Sequence, residues 1–243
     1  MNFFTYNGQS SADFGLHIES KNVFSAPAFD ASFQAIPGRN GDLIIPNNRF
    51  ANASVSYTAF VAHRTIQSLA DTLRAIRGWL FAEADRYHPI TDSYDTGFVR
   101  YGVIKEGLDI EEQLNRIGSF TVNFSCKPFR YSEAGNESVS VATSGEVLNN
   151  PFPFTSRPYL RITGSGEGTL TIQSAGSNRT WTFSDIDGYV EADSEQMNFY
   201  KDTLLKNDTV TGSGFPLLYP GDNTVSFSGG ITALAVTPRW CTL

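Results

Sequence analysis

One stretch carries a helical stripe, and little else in the chain does. From His63 to Ala84 the apolar residues Ile66, Leu69, Leu73, Ile76 and Leu80 recur at steps of three and four, while Arg64, Gln67, Ser68, Asp71, Arg74 and Arg77 take the other side. That spacing draws one apolar line along a helix of 3.6 residues per turn. Gly78 weakens the last turn and Pro89 bars continuation. Strand patterns surround this segment. Ser54 to Val61 alternates Val55, Tyr57, Ala59 and Val61 against Ser54, Ser56 and Thr58, and Phe98 to Ile104 and Ser119 to Lys127 are further candidates. The expected fold is mainly β with one long helix, at about 63–84, that covers a sheet face.

A composition shift follows Phe129. Tyr131 to Ser138 is polar and lacks apolar periodicity, so a linker is expected at 131–138, between an N-terminal domain (1–132) and a C-terminal domain (139–243). Short β segments then recur at Arg157 to Thr163, Gly168 to Gln173, Thr180 to Phe183, Tyr189 to Ala192, Thr224 to Ser228 and Ile231 to Val236. About seven or eight short strands separated by turn clusters read as a β-sandwich. The run from Gly164 to Gly168 reads as a tight hairpin turn, because a strand and not a helix follows its alternating glycines. Ser174 to Asn178 reads as another turn.

Charge and motifs exclude more than they suggest. The net charge is −7 and no basic block occurs, which argues against affinity for nucleic acid. His17, His63 and His88 fall in no zinc-binding spacing, with His63 expected at the helix start and His88 in a loop. The pairs Asp92/Asp95 and Asp185/Asp187 offer oxygens for calcium, yet neither has the spacing of a recognised loop, and Asp and Gly are common in turns for backbone reasons. No Gly-x-Ser-x-Gly elbow is present. No catalytic residue, metal ligand or cofactor is therefore assigned. Cys126 shares parity with Phe120, Val122 and Phe124, which marks a buried core thiol, and Cys241 has no partner motif. Met1 to Asn7 has neither a cationic nor an apolar region of a signal peptide, and no run approaches the length of a membrane span. Trp181, Tyr189, Phe199, Tyr200 and Tyr219 look exposed; such rings on a sandwich can stack on sugars, but more often they are core or hot spots of a protein interface. A carbohydrate-binding adhesion module is thus the alternative function, with a cell-wall glycosidase behind it.

The turn Pro37-Gly38-Arg39-Asn40-Gly41-Asp42-Leu43 is of another kind. It brackets one Arg and one Asp with glycines, and an apolar run and Pro46 follow where a phosphate cradle would need a helix. With the strand near Val55 to Val61 and the helix from His63, it forms the first part of an ordered set. The second part comprises Arg157-Pro158-Tyr159-Leu160-Arg161-Ile162-x-Gly164-x-Gly166, Leu218-Tyr219-Pro220-Gly221-Asp222-Asn223-x-Val225 and Val236-Thr237-Pro238-Arg239-Trp240. Each motif alone is weak, but their order over the whole chain resembles the distal tail (Dit) proteins of siphophages infecting Gram-positive bacteria, or a prophage copy.

That resemblance implies a fold and a role. The N-terminal β domain would carry the helix and a projecting arm, and the C-terminal domain would be a galectin-like sandwich. The protein would be a structural hub and not an enzyme. Its copies would form a homohexameric ring, or two stacked rings, around a channel through which DNA passes as cargo. Its partners would be the major tail tube protein, a tail-tip protein related to tail lysins, and receptor-binding or baseplate proteins, with no membrane contact. It would be made in the host bacterial cytoplasm without a signal peptide and end at the distal tip of the virion tail. Galectin likeness is one of fold and does not transfer sugar binding. Ring closure needs head-to-tail contacts, for which Arg39, Asp42, Leu43, Ile44 and Ile45 are the candidate inter-subunit residues. For the two charges a solvated hairpin is the equal alternative, and for the apolar run a core strand.

Overall fold

The computed structural model describes residues 2–113 and 116–243. The chain forms two compact units, Met1–Arg130 together with Leu243, and Tyr131–Thr242.

In the first unit the antiparallel sheet runs in the order Gln9–Ser10, Phe4–Tyr6, His88–Asp92, Phe98–Ile104, Ile117–Cys126, Ala53–Ala62 and His17–Asn22. Alternation decides which side is inside. Val55, Tyr57, Ala59 and Val61 are buried, and the register sets Phe124, Val122 and Phe120 against the first three. On the other side Thr58 and Thr121 share a hydrogen bond between their hydroxyls at 3.0 Å.

The helix spans Ile66–Phe81 and is shorter than the pattern suggests at both ends. Thr65 caps it, its hydroxyl accepting from the Ser68 N–H at 3.2 Å. At the far end Ala82 is extended and Glu83 turns left-handed at φ 56°, which ends the 3.6-residue winding before Ala84. Leu69, Ile76 and Leu80 of the expected stripe are buried, and Leu73 packs beside them over Gly118. Ile66, the first residue of the helix, is exposed. Trp79, outside the stripe, is buried instead. It stacks on Phe14 with ring centroids 4.7 Å apart and donates its indole N–H to the Tyr6 carbonyl at 2.8 Å.

In the second unit the main sheet has eight strands among the described residues, within the expected seven or eight, but their bounds differ. Tyr159–Ser174, Ser177–Asp193 and Gly221–Thr237 are three long strands, each of which joins two segments that look separate in sequence. Gly164 to Gly168 is not a hairpin turn but lies inside the first of them. A straight strand of this length would reach about 55 Å at roughly 3.3 Å per residue, far beyond the diameter of a unit of this size. All three therefore bend, and they bend together. Register shifts fall between Gly166 and Gly168 and at Gly164, and the facing strand carries Gly229 and Gly230 there. A Cβ on Gly164 would lie 2.2 Å from the Gly230 carbonyl oxygen, and one on Gly230 would lie 1.8 Å from that of Ser165, so only glycine fits.

The bend folds one sheet into two layers. Val139–Val141 and Asn198–Lys201 pair with one set of half-strands, and Glu146–Asn150 and Val210–Gly212 pair with the other. Leu160 and Ile162 from one half share a core with Leu170, Ile172, Trp181 and Phe183 from the other. The actual hairpin between the first two long strands sits at Ala175-Gly176, inside the expected Ser174 to Asn178 turn. Residues 133–136 form a 3-10 turn in which Gly135 lies against the backbone of Trp240.

Candidate functional site

Among the described residues, Phe29–Gln34 and Leu43–Phe50 pair only with each other, as a two-stranded sheet apart from the rest. The register sets Phe29 opposite Phe50, Ala31 opposite Pro46, and Phe33 opposite Ile44. Side chains alternate across a strand, so these six share one face. It is wholly apolar. The reverse face carries Asp30 opposite Arg49, Ser32 opposite Ile45, and Gln34 opposite Leu43. Asp30 accepts from the Asn47 amide at 2.9 Å and from Arg49 Nε at 2.5 Å, which together hold its carboxyl below the usual carboxylate range.

Local chemistry explains the shape. Ile36-Pro37-Gly38-Arg39 carries Pro at the second and Gly at the third position of a turn, with Gly38 at φ 80° and the Arg39 N–H donating to the Ile36 carbonyl at 3.1 Å. That is the signature of a type II turn. Gly41 is also left-handed, at φ 83°. Nothing lies within 4 Å of a Cβ built on either glycine, so backbone conformation and not space demands them. At the other end a bulge at Asn47-Asn48, with Asn48 at φ 53°, accommodates Pro46 in a strand. The base is held by Phe50, whose ring meets Phe29 and Phe129 edge-on at 5.3 and 5.9 Å.

An isolated hairpin is marginal in water, and this one turns apolar groups outward. Phe33 is 66% exposed and Ile44 is 56% exposed, while Phe29, Ile36, Leu43 and Ile45 are exposed as well. The run Leu43-Ile44-Ile45 is thus an exposed strand and not part of a core. Arg39 and Asp42 lie exposed at the tip, and neither side chain makes an ion pair or hydrogen bond with another described residue. The structure brings all five sequence candidates into one arm. Sequence reasoning missed Phe29, Phe33 and Phe50, although the alternation of Phe29, Ala31 and Phe33 with Asp30, Ser32 and Gln34 was there to read.

The other candidates fall into structural roles. Asp92 and Asp95 face guanidinium groups and not an open cation site. Asp95 accepts from Arg100 at 2.9 Å and Arg130 at 2.7 Å, and Asp92 accepts from the Tyr57 hydroxyl at 2.8 Å and from the N–H groups of Tyr94 and Asp95. Burial is the main cause that pushes the Tyr57 hydroxyl well above its ordinary range. Asp187 pairs with Lys201 at 2.9 Å and Asp185 with Lys206 at 3.6 Å. His63 precedes the helix cap. His88 is not in a loop but begins a strand, buried against Tyr6 with Nε2 3.0 Å from the Glu83 carbonyl. Trp181 and Phe199 are not exposed platforms either, since both are core side chains. Tyr189 is partly exposed, but Arg161 covers its ring at 3.7 Å. Burial pushes the Cys126 thiol up to about 12 and the Cys241 thiol up to about 11, so both cysteines are poor nucleophiles. Among the described residues no helix is long and apolar enough to cross a membrane.

Comparisons with known proteins agree with this architecture. The phage tail protein RIFT-related domain matches residues 10–126. The crystal structure of the Dit protein of phage SPP1, described as a paradigm of the hub adsorption apparatus in phages infecting Gram-positive bacteria, is similar at a TM-score of 0.77 and 16% identity, covering 100% of both chains. The baseplate of phage P2 in its activated conformation with Ca is similar at a TM-score of 0.49 and 6% identity over 97% of each chain. No curated protein matches the chain. The matching family is one of structural tail components of the virion and not of enzymes. Residues 10–126 thus resemble a phage tail protein RIFT-related domain, and over its full length the chain has the fold of the SPP1 Dit structure.

Proposed function

We propose that this protein is the hub of a long non-contractile phage tail tip, and that its copies close into a homohexameric ring through the arm. The arm's exposed apolar face carries this reading. A marginal hairpin with an apolar face gains most when a second surface covers it. A face that meets a different patch on the next copy makes a heterologous contact, and such contacts close into a ring when the rotation allows. Arg39 and Asp42, free at the tip, supply polar contacts that fix the register of that docking, while Leu43, Ile44 and Ile45 supply apolar area.

In this reading residues 1–132 line a channel through which DNA passes, and the ring joins the major tail tube protein to a tail-lysin-like tip protein. Residues 139–243 form a galectin-like sandwich that docks receptor-binding or baseplate proteins. The protein is made in the host cell and ends at the distal end of the tail. The net charge of −7 supports a channel wall that does not grip DNA. Light scattering on the purified chain, with negative-stain images of the same fraction, tests the reading. A hexamer, or two stacked hexamers, is the expected result. A strict monomer that also fails to assemble on purified tail tubes overturns it.

A further inference from the structure

Asn-Gly occurs twice in the chain, at Asn7-Gly8 and Asn40-Gly41, both exposed but with the main chain held differently. The dipeptide is chemically special because glycine has no Cβ to shield its amide nitrogen from the preceding side-chain carbonyl. Ring closure between the two still requires the main chain to rotate. At Asn7-Gly8 it cannot do so freely. The two residues sit left-handed at φ 49° and 77° and form the two-residue turn between Phe4–Tyr6 and Gln9–Ser10, with the Asn7 N–H donating to the Pro89 carbonyl. Rotation there breaks the turn and the strand pairing beside it.

At Asn40-Gly41 the glycine is left-handed too, but no strand pairing or main-chain hydrogen bond from the asparagine holds the pair. Both residues are exposed at the arm tip, and nothing lies within 4 Å of the Gly41 Cβ position. The tip's turn bond, from the Arg39 N–H, ends one residue earlier. Among the described hydrogen bonds, neither the Asn40 side chain nor the Gly41 N–H takes part.

We infer that Asn40 is a site of spontaneous deamidation and isoaspartate formation in this protein. The Gly41 amide gives its proton to hydroxide, and its nitrogen attacks the Asn40 Cγ. The side-chain nitrogen leaves as ammonia, and a five-membered succinimide closes. Water then adds to either carbonyl of the ring, and the C–N bond at that carbonyl breaks. One opening yields aspartate at position 40, and the other yields isoaspartate, with an extra methylene in the main chain. Both add a negative charge between Arg39 and Asp42, and the second also lengthens the loop that joins the two arm strands. An effect on assembly rests on the ring reading above, whereas the modification itself does not.

The test uses the purified full chain, held in mildly acidic and mildly alkaline buffer and analysed by peptide mass mapping with fragmentation that separates aspartate from isoaspartate. The expected result is conversion of the tip peptide that accelerates in alkali, runs several-fold faster than at Asn7, and disappears in Asn40→Gln. A urea-unfolded sample serves as the reference for the unrestrained rate at both sites. Conversion of the tip only in urea, equal native rates at the two sites, or no conversion at all would overturn the inference. Light scattering on the aged and fresh samples reads assembly separately, so a failed ring leaves this result standing.

Discussion

Phe33 and Ile44 oppose each other across the arm, and each leaves more than half of its surface in water. Such a cross-strand apolar pair adds only about 0.2–1 kcal/mol to its own hairpin. Its larger value lies in what covers it. If the proposed ring closes through the arm, Phe33→Glu is expected to dissolve it while the stability of the single chain changes by no more than about 0.5 kcal/mol. Light scattering and a denaturant titration on the same variant check both halves. A ring that survives Phe33→Glu would place its interface elsewhere.

Trp79 ties the helix to the first strands through the 2.8 Å bond from its indole to the Tyr6 carbonyl. Trp79→Phe keeps most of the packing and removes that one hydrogen bond, at a cost of about 0.5–1.5 kcal/mol. Trp79→Ala also leaves a cavity, and the loss should reach about 3–5 kcal/mol. Urea unfolding followed by tryptophan-independent circular dichroism measures the two, and a loss in Trp79→Phe as large as in Trp79→Ala would show that packing is not the main term.

Gly230 sits where the long strands bend, and a Cβ on it would overlap the Ser165 carbonyl oxygen at 1.8 Å. Gly230→Ala should thus destabilise the second unit severely, by more than about 3 kcal/mol, because backbone and not a flexible side chain must move. Gly38→Ala meets no atom and costs only the left-handed conformation, about 1–2 kcal/mol, confined to the arm. Comparable losses for the two would contradict the account of the bend.

Asp193 is buried, which opposes its charge, but two hydrogen bonds from Arg239 and the N–H groups of Gln196 and Glu195 outweigh burial and lower its pKa. A carboxyl depressed in the folded state contributes stability above its unfolded pKa, of about 3.9, and that contribution disappears as pH falls through the folded value. Melts should therefore show the second unit weakening below about pH 4. Arg239→Met removes the guanidinium, leaves a buried carboxylate and costs up to about 3 kcal/mol near neutral pH, discounted because Arg239 is partly exposed. Without that partner burial dominates and the carboxyl rises, so the variant should recover stability as the pH is lowered toward 5. A pH profile parallel to that of the unmodified protein would exclude Asp193 as the source.

The sequence is legible where the signal is local. The helix stripe, the alternation of Val55 to Val61 and the Pro37-Gly38 turn are each set by neighbours within a few residues, and each is present in the fold. The second unit misleads because its decisive contacts are distant. Gly164, Gly166 and Gly168 look like a turn, since glycine marks turns and bends alike. Only the glycines of another strand, at 229 and 230, turn this cluster into a shared corner. The burial of Trp181 and Phe199 has the same origin, because the fold-over brings both layers around one core. In the arm, the run from Leu43 to Ile45 reads equally as core or surface, and only the absence of a third strand makes it surface.

The three bent strands also have a mechanical meaning. In a sandwich of separate sheets, side-chain packing alone resists a force that slides one layer over the other. Here three strands themselves run from one layer into the other, at Gly164 to Gly168, at Ser184 to Gly188 and at Gly229 to Ile231. A pull on one layer is carried into the other as tension in covalent bonds, which are far stiffer than van der Waals contacts. The unit should yield to load all at once, without first delaminating.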